Sequence, residues 1–438
     1  MTHAAIPVQA GRIQPRERDA IIASLRAGMV PRIGQRHIQV GRAAELQAAV
    51  HDVDRIAGGG AGCRFVIGEY GSGKTFFLHL VRSVALEKRL VTVHADLSPD
   101  RRLHAASGQA RSLYAELMRN LATRARPDGG ALASVVERFV TGALSEANAS
   151  GDDPQDAIRS RLAALSELTG GYDFATVIGA YWRGYDSGDE RLRTDAVRWL
   201  RGEFTSRVDA RAALGVRTIV DDASFYDHLK LMARFVTLAG FGGLLVCLDE
   251  MVNLYKLSGS AARNANYEQV LRIVNDSTQG NAEHLGFLFG GTPEFLLDPR
   301  RGLFSYPALA SRLAPNRFAS ADRADHSGPV LRLGGLTPED VFVLLTKLRH
   351  VYAAGDPARY LVPDEALTGF MAHCATRLGD AYFRTPRETI RGFLDLLALL
   401  EQHPDLRWSE LVDAVDLTAT PDPTGPTIDD DELSSFRL

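Results

Sequence analysis

GEYGSGKTFF, residues 68–77, sets Gly68, Gly71 and Gly73 ahead of Lys74 and Thr75. The stretch satisfies G-x-x-x-x-G-K-S/T and lies between an apolar run, CRFVIG, and a helical pattern, FFLHLVRSVALEKR. That order of strand, loop and helix separates a phosphate cradle from a chance glycine turn. Glycines let the backbone curl so that successive N–H groups face phosphate oxygens, and the helix that follows adds its partial positive charge. Lys74 then reaches the β- and γ-phosphates, and Thr75 offers a hydroxyl to Mg²⁺. The expected nucleotide-binding set from this loop is Gly68, Glu69, Tyr70, Gly71, Ser72, Gly73, Lys74, Thr75 and Phe76, with ATP and Mg²⁺ as ligands.

Working outward, LVTVHADL reads as a second strand, which completes a βαβ unit. Upstream, PRERDAIIASLRAG from Pro15 to Gly28 is one amphipathic helix with Ile21, Ile22 and Leu25 on a face, closed by glycine. Between about Asp100 and Gly240 strand signals nearly vanish. Apolar residues there recur at helical spacing, as with Leu113, Leu117 and Leu121 in RSLYAELMRNL. Strands resume with LLVCLDE (Leu244 to Glu250), HLGFLFGG (His284 to Gly291) and VLRLGG (Val330 to Gly335), so a parallel α/β sheet is interrupted by a helical insertion. Two helix starts follow, TPED at Thr337 and TPRE at Thr385, each offering a threonine N-cap, proline at the first helical position and an acid at the third. The chain from Thr418 is proline-rich and acidic, the composition of a disordered tail.

LLVCLDE ends in Asp249-Glu250, the pattern of a magnesium-binding strand end. Asp249 would hold the ion through water and Glu250 would polarise a water for attack on the γ-phosphate; an acidic cap on a strand is the plain alternative. The adjacent acid pair argues for hydrolysis and against a small-molecule kinase. Bulk composition is ordinary: 45% hydrophobic, 24% charged and a net charge of −4, with no global electrostatic pull toward nucleic acid. No run is long and apolar enough for a membrane span and no secretory signal is visible, so a cytoplasmic protein with no membrane partner is expected. Cys63, Cys247 and Cys374 are far apart and read as buried thiols.

The residues so far resemble the AAA+ class of P-loop ATPases, in the branch that includes origin-recognition and other initiator-like proteins. VGRAAEL, IGEYGSGKTFFLHLV, GFGGLLVCLDE, FLFGGTPEFL and RGLFSYPALASRL are more specifically similar to the BrxD-like ATP-binding proteins of bacterial BREX phage-defence systems, over nearly the whole chain. The resemblance implies an AAA+ type P-loop NTPase, α/β with a parallel sheet and a small C-terminal helical lid. The long helical insertion departs from the initiator pattern, where a short linker is expected, and no obvious winged-helix domain follows the lid. Its expected parts are an N-terminal helical segment (1–37), an ATPase core (38–335, with 100–240 mostly helical insertion), the lid (336–417) and the acidic tail (418–438). It further implies a sensor strand, HLGFLFGG, between the glycine-loop strand and the Asp-Glu strand, with Thr292 beside the γ-phosphate or else simply capping the next helix. Arg387, in the first turn of a lid helix, is the implied second sensor. Arg312, or failing it Arg317, is the arginine a neighbouring subunit would receive, and Gly41 and Arg42 lie in the segment that packs on adenine. The implied catalytic set is Lys74, Glu250, Thr292, Arg312 and Arg387, with Thr75 and Asp249 on the metal.

The resemblance also implies ATP hydrolysis, assembly into a homo-oligomer, and DNA or a helicase-like defence protein as partner. Arginines and aromatics mix in RSLYAELMRNLATRARP and YWRGYDSGDERLRTDAVRWLR, a candidate DNA face with acids interspersed. A nucleotide-gated switch with little intrinsic hydrolysis is the alternative the same motifs allow.

Overall fold

Near-continuous apolar runs make strands that bury both faces, as the central strands of this five-stranded sheet do. The computed structural model describes residues 13–105, 107–320, 323–384 and 386–414. Its strands are β1 (Ala61–Ile67), β2 (Val91–Asp96), β3 (Leu244–Asp249), β4 (Leu285–Gly291) and β5 (Val330–Arg332). All neighbours pair in parallel, in the order β2-β3-β4-β1-β5. β3 and β4, at the centre, are buried along their entire length. β4 therefore lies between the strand that leads into the glycine loop and the strand that ends in Asp249, with Ile67 opposite Gly291 and Leu248 opposite Phe289. VLRLGG yields only a three-residue strand, because the chain leaves the sheet after Arg332.

The chain divides into two units. One holds 42–67 and 77–332. In it, α2 (Ala43–Ala57) lies on the sheet where Gly286 makes room, since a Cβ at that position would stand 2.2 Å from Ile56 Cδ1. Seven α-helices occupy the described residues between β2 and residue 240, beginning with Gln109–Arg119 and ending with Phe225–Leu238. Leu113, Leu117 and Leu121 are fully buried. These helices do not form a separate lobe: Tyr114, Phe139, Phe174, Trp199 and Phe235 belong to the same apolar core as Phe65, Phe287 and Phe289 of the sheet.

The other unit comprises 13–41, 68–76 and 333–414 among the described residues. Here α1 (Pro15–Arg26) shares a core with the C-terminal helices: Ile21 belongs to the same apolar cluster as Val341, Leu345, Phe370, Phe393 and Leu397. The helix Pro338–Tyr352 opens with a complete capping box in which Thr337 accepts from the Asp340 N–H and Asp340 accepts from the Thr337 N–H. The helix Arg387–Gln402 begins one residue later than its threonine-proline start suggests, with Pro386 at the cap position. The Thr385 cap and the acidic tail lie outside the described residues. The three cysteines are free thiols, Cys247 and Cys374 buried as expected but Cys63 only half-buried; desolvation pushes Cys247 and Cys374 up to about 12 and raises Cys63 too.

Candidate nucleotide site

The loop after β1 is closed by its own backbone. Ser72 N donates to Glu69 O at 3.1 Å, and Lys74 Nζ donates to Gly68 O and Glu69 O at 2.8 Å each. Gly71 (φ 75°) and Gly73 (φ 84°) are left-handed, a conformation in which a side chain is strained. Gly68 is required for a different reason: a Cβ there would lie 2.5 Å from Ser72 Oγ and 3.0 Å from Leu333 O. Ser72 is buried, Glu69 exposed, and Tyr70, Thr75 and Phe76 half-buried. A cleft of about 580 Å³ is lined by Glu69, Ser72, Leu336, Thr337, Pro338 and Phe383.

Gly41 and Arg387 belong to the same unit as the loop. Gly41 is left-handed (φ 60°), and a Cβ on it would come within 3.1 Å of the Asp340 carboxylate. The segment is tied down by Lys347, which donates to Gln39 O and whose burial lowers its pKa. Arg42, also left-handed (φ 58°), caps α2. Arg387 is exposed at the first position of its helix, and its Nη1 donates to Tyr70 Oη at 3.1 Å.

The acid pair lies in the other unit. Asp249 is 8% exposed at the end of β3, whereas Glu250, the next residue, is exposed with φ 57°. Asp249 Oδ1 accepts the Glu250 N–H at 2.9 Å. That carboxylate fits only because residue 290 is glycine: a Cβ on Gly290 would stand 2.3 Å from Asp249 Oδ1. Gly290 carries no signal of this role in the sequence, where FLFGG reads simply as a strand end. A carboxylate such as that of Asp249 and a hydroxyl such as that of Thr75 are each of the hard oxygen type that Mg²⁺ takes, and among the described residues no cluster of three His, Cys, Asp or Glu could hold a metal ion.

Thr292 follows β4, and its Oγ1 accepts the Phe295 N–H at 3.4 Å, so it does cap the short helix Pro293–Leu297. Arg312 is exposed but engaged within its own chain, Nε on Asn275 Oδ1 at 2.6 Å and Nη1 on Ala308 O at 2.9 Å; Arg317 is exposed. On the candidate DNA face the arginines are largely matched by acids: Arg198 pairs with Asp195 at 2.8 Å, Arg119 with Glu116 at 3.0 Å, and Arg193 with Glu190 at 2.6 Å. Arg193 also lies against the rings of Tyr181 and Tyr185. Such a face carries little unbalanced positive charge.

A family model described as "BREX system ATP-binding protein BrxC/D" matches residues 13–416. The chain belongs to that family. Membership in BrxC/D gives it an ATP-binding role in BREX phage defence, and ATP as its ligand. No curated protein matches it significantly. Among the described residues no helix is long and apolar enough to cross a membrane.

Proposed function

We propose that this BrxC/D-family chain is an AAA+ ATPase that hydrolyses ATP with Mg²⁺, working as a homo-oligomer on DNA or on a helicase-like partner. Residues 68–76 cradle the phosphates through backbone N–H groups, Lys74 leaves its two carbonyls for the β- and γ-phosphates, and Gly41 and Arg42 flank adenine. Thr75 and Asp249 hold the metal, which when bound neutralises charge building on the phosphate oxygens. Glu250 accepts the proton of the attacking water. Thr292 and Arg387 read the terminal phosphate, and Arg312 or Arg317 completes a neighbour's site.

The observation that carries the hydrolytic reading is the corner at Asp249-Glu250. A glutamate held at φ 57° spends conformational free energy to leave the strand at a sharp angle, and strain of this kind gathers at functional sites. A nucleotide-gated switch is a second reading, favoured by the contact of Arg387 with Tyr70, which couples a lid-helix tip to the loop without any chemistry.

The deciding experiment is ATP turnover by the full chain, with and without duplex or single-stranded DNA, beside Lys74→Ala and Glu250→Gln and with assembly state followed in the same samples. Turnover that DNA stimulates and both variants lose supports the proposal. Tight ATP binding with no turnover in any DNA or partner context supports the switch instead.

A further inference from the structure

We infer that Tyr70 is a positioning residue for Arg387, holding the guanidinium at the glycine loop where the terminal phosphate of ATP is read. The inference deepens the ATP-binding reading above and rests on it.

The turn explains how Tyr70 comes to be there. Ser72 N donates to Glu69 O, so residues 69–72 form a β-turn with Tyr70 in its second place and Gly71, at φ 75°, in its third. Such a turn needs glycine at the third place and accepts nearly any residue at the second. The backbone therefore makes no demand on the tyrosine side chain. Its demand comes from elsewhere: Arg387 Nη1 donates to the Tyr70 hydroxyl at 3.1 Å, and the guanidinium carbon lies 5.4 Å from the ring centroid.

Arg387 has reason to need a holder. It opens the helix Arg387–Gln402, where the helix dipole repels a cation, and among the described residues it makes no salt bridge. The carboxylate farther along the same helix, Asp395, is taken by Arg26 of α1 at 2.8 Å. The arginine stem passes near Gly28, left-handed at φ 70°, where an added Cβ would make an ordinary 3.6 Å contact with Arg387 Cδ. A phenol is an apt partner for a phosphate-seeking arginine. It restricts the rotamers of a long side chain yet leaves its charge whole, whereas a carboxylate in the same place would compete with the phosphate.

The test measures dissociation constants of ATP and of ADP for the full chain and for Tyr70→Ala, Tyr70→Phe, Arg387→Ala, the Tyr70→Ala/Arg387→Ala double variant, and Lys74→Ala. Tyr70→Ala is expected to weaken ATP by about three- to tenfold while leaving ADP unchanged. Tyr70→Phe, which keeps the ring and the turn, loses less than Tyr70→Ala. In the Arg387→Ala background Tyr70→Ala has no further effect. Unchanged ATP affinity in both Tyr70 variants, equal losses for ATP and ADP, or additive losses in the double variant each overturn the inference. Lys74→Ala binding ATP as tightly as the unaltered chain overturns the glycine-loop reading itself; a weak Lys74→Ala beside inert Tyr70 variants overturns only the role of Tyr70.

Discussion

Glu250 holds a backbone conformation that costs an L-residue about 1–2 kcal/mol and that glycine adopts freely. Glycine loses more chain entropy on folding, by roughly 0.5–1 kcal/mol, so the two effects partly offset. Glu250→Gly should leave the fold equally stable or stabilise it by up to about 1 kcal/mol while abolishing ATP turnover. Denaturant midpoints measured beside turnover check this, and a variant that is both destabilised and active would refute the view of Glu250 as a strained catalytic residue. The acid pair itself was legible in LLVCLDE, because an apolar strand ending in two carboxylates is a chemical statement in one dimension. Its geometry was not. The backbone turn at Glu250 and the room that Gly290 leaves for Asp249 Oδ1, where a Cβ would stand only 2.3 Å away, appear only in the folded chain, and no local pattern announces them.

Helices were the most legible elements, since their apolar spacing reports directly on which face is buried. Val341, Leu344, Leu345 and Leu348 all proved buried on the helix Pro338–Tyr352, and Thr337 caps it. What they pack against was less evident. The helix Phe225–Leu238 carries His228, buried edge-on to Tyr114 and Trp199, with its Nδ1 on Ser224 O at 2.9 Å. Burial lowers its pKa below 6.5, outweighing the opposing hydrogen bond with Ser224 O and the pull of Asp227, Asp221 and Asp173. The folded chain thus keeps His228 neutral where the unfolded chain would bind a proton. Its contribution is complete above the unfolded value of 6.5 and is lost as pH falls from there toward the folded pKa. Thermal unfolding followed at pH 7.5 and pH 5.5 (about one unit either side of that value) should show a lower midpoint at the acid end, and the difference should shrink in His228→Phe. An undiminished difference in that variant would assign the pH dependence to other groups.

The described residues form two apolar cores, one built on the sheet with the helices that interrupt it and one uniting α1 with the C-terminal helices. The spacing between β2 and β3 predicts a helical insertion that interrupts the sheet. In the structure its aromatic residues complete the sheet's own core, because a sheet buried on both faces needs helices to cover it. Membership in the BrxC/D family makes ATP a ligand of the folded chain, and a ligand that binds only the folded form stabilises it by about 2.7 kcal/mol at one hundred times its dissociation constant. ATP at that excess should raise the unfolding midpoint of the full chain, and Lys74→Ala should respond less. A Lys74→Ala chain stabilised as much as the original would place the nucleotide away from residues 68–76.

The sequence by itself determined the order of strands and helices, the glycine loop, the acidic strand end and the family resemblance, all of which rest on the spacing of residues along the chain. Folding decided that Gly290 makes room for Asp249, that Tyr70 meets Arg387, that Arg312 is engaged by Asn275, and that α1 joins a core more than three hundred residues away in sequence. Each of these depends on which surfaces pack together. Packing is set by the volume and polarity of partners distant in the chain, and so it appears only when the chain is folded.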